Sequence, residues 1–125
     1  MVAFLTDSIM DNGLAYMISN GSRLDICTQQ PANYTEATST YTKGNKTSLT
    51  STGPADHTSG RKATIPAITD GAVTGDGTVT HWGYSKTTAT TELLAAQSLT
   101  GSQAVTNGNT FTLDAIIVSI GDPAA

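Results

Sequence analysis

Residues 68–85 read "ITDGAVTGDGTVTHWGYS", two Asp-Gly steps six residues apart and then the chain's single tryptophan. If Asp70 and Asp76 hold a metal ion, the segment is a site. If they turn the chain, it is a pair of hairpin signals and the fold is built around Trp82. A calcium loop of the EF-hand type needs oxygen ligands at positions 1, 3 and 5 and a bidentate Glu at position 12. Counted from Asp70, positions 3, 5 and 12 are Ala72, Thr74 and His81. The Gly-Gly-x-Gly-x-Asp calcium repeat is absent as well. Asp-Gly instead suits tight turns, because Gly accepts positive φ and Asp tolerates it. The stretch therefore predicts two turns and a strand over 78–85, with Trp82 and Tyr84 on one face.

Working outward, further strands are expected at "RKATIPAI" (61–68), "TELLAAQSL" (91–99) and "NTFTLDAIIVSI" (109–120). "KTTATT" and Asn107-Gly108 supply the remaining turns. Short strands at this spacing predict an antiparallel β-sandwich or barrel. Pro66 places its strand at an edge or breaks it. In 109–120 Phe111, Leu113, Ala115 and Ile117 share one face, and Ile116, Val118 and Ile120 the other. Such two-sided apolarity marks a strand covered on both faces or one at a subunit contact.

Upstream, "TDSIMDNGLAYMISNG" predicts the one helix, 6–20, capped by Thr6 or Asp7 and stopped by Asn20-Gly21. Its apolar stripe (Leu5, Ile9, Gly13 and Met17, widened by Met10, Leu14 and Ile18) suits a helix lying on its own sheet, with docking on a partner as the rival reading. Gly13 suggests a close backbone approach. "GSRLDICT" alternates as a half-buried strand, Leu24 and Ile26 on one side and Arg23, Asp25 and Cys27 on the other. From 29 to 60 periodicity fades into Thr, Ser, Gly, Asn and Pro, and an extended arm or loop shared with a neighbour is expected, with some strand at 46–51. The whole is read as one domain, 1–125, mainly β, with an N-terminal helix, a long irregular arm and antiparallel strands over 61–120.

Charged residues make up 13% of the chain and the formal net charge is −4. Neither a nucleic-acid face nor a polybasic membrane anchor is expected. Threonine is nearly a fifth of the residues, which favours pleated sheet. A weakly charged, Thr-rich surface suits a subunit packed in an assembly. The lone Cys27 allows no intrachain disulfide and reads as a small buried side chain. "MVAFLTDSIM" lacks a basic n-region, so a cytoplasmic site of synthesis is expected. The three Asn-x-Ser/Thr triplets read as turns and caps.

Catalytic signatures are thin. There is no Gly-x-Ser-x-Gly elbow and no Walker loop, and His57 and His81 stand in different contexts without a supporting pattern. No enzyme, cofactor or metal is expected. Trp82, Tyr84, Tyr34 and Tyr41 fit core anchors better than a sugar platform.

Laid side by side, "AFLTDSIMDNGLAYMISNGSRLDIC", "YTKGNKTSLT", "RKATIPAITDGAVTGDGTVTHWGYS" and "LTGSQAVTNGNTFTLDAIIVSI" resemble a family of small tailed-bacteriophage virion structural proteins. The resemblance spans nearly the whole chain and carries no catalytic residues. It implies a capsid decoration or cement protein, made in the host cytoplasm and placed on the virion surface. Its partners would be the major capsid protein and copies of itself, as a trimer. A tail or fibre adaptor or receptor-binding module is the alternative, with "HWGYS" as its surface. Anchors and charges in the irregular segments suggest Phe4, Leu5, Tyr41, Lys46 and Arg61 as contacts to the capsid or to neighbouring subunits.

Overall fold

The computed structural model describes residues 5–122. Helix α1 (Asp7–Asn20) leads into β1 (Arg23–Cys27), β2 (Thr42–Lys46), β3 (Thr52–Asp56), β4 (Arg61–Ile65), β5 (Ile68–Val73), β6 (Gly77–Lys86), β7 (Glu92–Val105), β8 (Thr110–Leu113) and β9 (Ile116–Ile120). The protein is mainly β, as its composition implies. Six strands form one curled antiparallel sheet in the order β7-β6-β1-β2-β5-β8, and three form a second in the order β3-β4-β9. Among the described residues no helix is long and apolar enough to cross a membrane.

The tryptophan strand is the frame of the larger sheet. β6 pairs with β1 in the register Leu24↔Tyr84 and Ile26↔Trp82, so these four side chains share one face. Trp82 is 5% exposed and Tyr84 fully buried, so both are core. The Tyr84 hydroxyl is satisfied by Ser51 Oγ at 2.7 Å. Beyond Lys86 the expected turn over 87–91 forms a hairpin into β7, which runs on past the expected 91–99 to Val105.

The two Asp-Gly steps behave differently. Asp76-Gly77 does turn the chain, and Asp76 Oδ1 accepts the Asn107 N–H at 2.7 Å. This turn joins β5 to β6, which are not neighbours, and Lys43 O holds it through the N–H groups of Thr74 and Gly75. Asp70-Gly71, by contrast, lies inside β5, with a register shift between Ile68 and Gly71. Its glycine has a packing cause: a Cβ there would sit 2.3 Å from the Phe111 ring. The expected turn is replaced by an aromatic ring lying against bare backbone.

The stretch 29–60 also departs from the expected arm. A short π-helical turn over Glu36–Thr40 folds back on the large sheet, β2 lies between β1 and β5, and β3 edges the small sheet. β2 reads Thr-Lys-Gly-Asn-Lys, with no apolar side chain to reveal a period. Its glycine is demanded by the sheet, since a Cβ on Gly44 would lie 2.5 Å from the Ala72 carbonyl oxygen. The strand expected at 46–51 is displaced to 42–46.

The chain changes sheets three times, first between β2 and β3. β4 ends at Ile65 and Pro66-Ala67 carries it from the small sheet into β5. The expected strand 109–120 is two strands, because Asp114-Ala115 carries the chain from β8 back to β9. Two-sided apolarity there reflects two strands facing the core from different sheets.

Helix α1 lies along β3, β4 and β9, with Met10, Leu14 and Met17 buried. It thus packs on its own sheet. Gly13 accepts Ile120 Cδ1, which would meet a Cβ at 3.1 Å. The helix ends where the Gly21 N–H reaches Met17 O at 2.8 Å.

Candidate interaction surface

The residues suggested as contacts fall in separate places. Phe4 lies outside the described residues. The Leu5 N–H reaches Asp122 Oδ1 at 3.4 Å. Arg61 is consumed within the fold: Nε donates to Asp11 Oδ1 at 2.7 Å, Nη1 donates to Asp56, and Asp7 lies 4.0 Å away. It fastens α1 to the small sheet, and the bond to Asp11 keeps the guanidinium charged to still higher pH. Lys46 pairs with Asp70 at 3.0 Å, and Tyr41, just ahead of β2, turns its hydroxyl to Glu36 Oε2 at 3.5 Å. Asp70 and Asp76 therefore serve different partners. Among the described residues no three His, Cys, Asp or Glu side chains come together as metal ligands.

A buried polar cluster was hidden in the sequence. β1 was expected to be half-buried with Arg23, Asp25 and Cys27 on one side, and residues 31–38 cover that face as well. Asp25 and Cys27 are both 0% exposed, and so is Ala37 above them. The Asp25 carboxylate accepts Arg23 Nε at 2.8 Å, Arg23 Nη2 at 2.9 Å and Thr42 Oγ1 at 2.8 Å. Burial pushes this carboxyl above its ordinary range, with the hydrogen bonds from Arg23 and Thr42 opposing. Burial also pushes the Cys27 thiol up to about 12, so it is an inert packing group and no nucleophile. Ser85, beside Arg23 in the register, has a buried hydroxyl with no hydrogen-bond partner among the described residues. Asp25 and Cys27 are closed to solvent, Arg23 reaches it at 22%, and the cluster is structural in character. Its one sequence signal was a carboxylate between Leu24 and Ile26 with an arginine two residues away.

The open surface is elsewhere. β7 ends the large sheet and β9 ends the small one, and among the described residues each has one edge without a strand partner. These edges face each other. A cavity of about 310 Å³ is lined by three consecutive residues of each, Ala95–Gln97 and Ile117–Ser119, with Trp82 as its floor. Side chains alternate between the faces of a strand, so consecutive residues line one space only when the strand presents its edge. A second cavity of about 280 Å³ continues it towards Leu113 and Asp114, again on Trp82. From Leu93 to Val105 β7 has no charged residue and no proline. Among the described residues the large hydrophobic side chains left exposed are Ile117 on β9, at 50%, and Ile9 at 58% and Tyr16 at 48% on the adjoining helix. Tyr16 binds β7 directly through its hydroxyl to Glu92 Oε1 at 2.7 Å.

This is an edge-and-apolar surface of the kind that joins protein to protein, through backbone pairing and burial of aliphatic groups. Comparison of the chain with protein-family models, with curated proteins and with solved structures found no match.

Proposed function

We propose that this chain is a structural subunit of a tailed-bacteriophage particle, a decoration protein that stabilises the head by bridging capsomers. The observation that supports this reading best is the pair of open sheet edges, uncharged from Leu93 to Val105 and along β9, with Ile117 exposed there and Ile9 and Tyr16 exposed on the adjoining helix. Burial of such groups contributes about 25 cal/mol per Å², a modest amount per copy that repetition over a shell makes large. The family resemblance and the low surface charge point the same way. The tail or fibre alternative leaned on "HWGYS" as a receptor surface, and Trp82 and Tyr84 are occupied in the core.

The test is stoichiometry in purified virions, by quantitative mass spectrometry against the major capsid protein. A ratio near one, or a simple fraction such as one third, is the expected result. A few copies per particle would transfer the protein to the tail, and absence from the particle would overturn both readings. Removal of residues 1–5 is the fitting truncation for capsid binding, because removal of 29–45 takes β2 out of the large sheet.

A further inference from the structure

We propose that the slot between the free edges of β7 and β9 receives a short extended segment of another protein chain, added as a strand bonded to both edges. The requirement is set by the backbone. An edge strand leaves a row of N–H and C=O groups without partners, and here two such rows flank one space. A strand laid between them satisfies both and turns the two sheets into one, in the order β3-β4-β9-guest-β7-β6-β1-β2-β5-β8. The floor is already built, since Trp82 underlies both cavities.

The walls define the guest. Among the residues lining the two cavities the only charged side chain is Asp114, at the end where β8 passes into β9. The guest is therefore uncharged along its length and carries one basic residue to meet Asp114. β9 is five residues long, and beyond Ser98 the β7 register breaks, with His81 opposite Ser98 and Val79 opposite Gln103. The extra residues of β7 bulge at that point, so the guest is a strand of about five to seven residues. It comes from a different chain, because every strand among the described residues is already built into one of the two sheets.

A tethered probe tests this on the full chain with no particle component present, so the result stands apart from the decoration reading. The segment Thr-Val-Thr-Val-Thr-Val-Lys is appended after Ala125 through a flexible Gly/Ser linker. Tethering supplies an effective concentration in the millimolar range, enough to reveal weak pairing. Entering beside Asp122, the probe runs antiparallel to β9 and brings its lysine to Asp114.

Amide hydrogen exchange is expected to slow at least tenfold in both β7 and β9. The other free edges, β3 and β8, should keep their rates and serve as internal controls. Asp114→Lys should abolish the protection, and a probe ending in Glu should restore it. Protection of one edge alone, equal protection at β3 or β8, or none at all would overturn the proposal. So would self-association of the probe-free chain that itself protects β7 and β9, since the slot would then belong to a second copy.

Discussion

β1 and β7 are strands of one sheet with opposite fates. β1 has five residues, of which Leu24, Asp25, Ile26 and Cys27 are buried, and it is paired on both sides and covered on both faces. β7 has fourteen residues, none fully buried, and one side without a partner. The difference shows where the molecule invests its stability and where it keeps its reach. Desolvated, doubly paired backbone opens only with global unfolding, whereas a half-paired edge is available to a partner. It also explains the placing of an ion pair under residues 31–38, where one misfit costs most, and of uncharged residues on the open edge.

The strongest break in that contrast is Arg23→Ala, which leaves the Asp25 carboxylate buried and unpaired. It should cost about 3–5 kcal/mol in urea unfolding at pH 7. The cost should shrink on acidification. Burial already raises the Asp25 pKa in the folded state, and loss of the Arg23 bond raises it further. A raised folded-state pKa contributes stability that is fully present below the unfolded value of 3.8 and is lost as pH rises through the folded one. The variant therefore approaches the wild type between pH 7 and pH 4. A deficit independent of pH would mean that Asp25 is not the orphaned group.

A matched pair sharpens the comparison. Leu24→Ala, at a fully buried position, should cost about 2–5 kcal/mol, while Leu99→Ala, half-buried against the core from β7, should cost clearly less, both read as shifts in urea midpoint. Equal costs would show that β7 is covered after all. A smaller effect is expected inside the closed half. Ser85→Ala removes a buried hydroxyl that has no partner, so it should be neutral or stabilise by up to about 1 kcal/mol in thermal unfolding. Smallest of all, Cys27 should give no reaction with a thiol reagent at pH 8 in native buffer and one equivalent in urea.

The legible parts of the sequence were those where side-chain alternation and turn chemistry agree. Helix 6–20, the core face of Trp82 and Tyr84, the β6–β7 hairpin and the mainly-β class follow from that agreement. β2 was illegible because a central strand made of Thr, Lys, Gly and Asn has no hydrophobic period, and only its neighbours make it a strand. Asp70-Gly71 misled for a related reason: a glycine admits both positive φ and a ring pressed on the backbone, and Phe111 is forty residues away. The open edges could not be read at all, since strand order is a property of the assembled sheet. Of the suggested contacts, Arg61 and Lys46 were conspicuous as charges, and both form ion pairs within the chain.

The meeting of Leu5 with Asp122 has a mechanical consequence. The described chain enters and leaves its fold at one pole, so a load applied through its two ends peels the structure open from that point and barely stretches the body between. A pull through the small sheet's Arg61 latch would be resisted by several bonds in parallel, one through the ends by the bonds of Asp122 to Leu5 and Ser59 first. The chain leading out of Leu5 and the chain leading out of Asp122 start side by side at this pole. A short bridge joining the two ends should leave the large sheet undisturbed and hold shut the place where it is easiest to open.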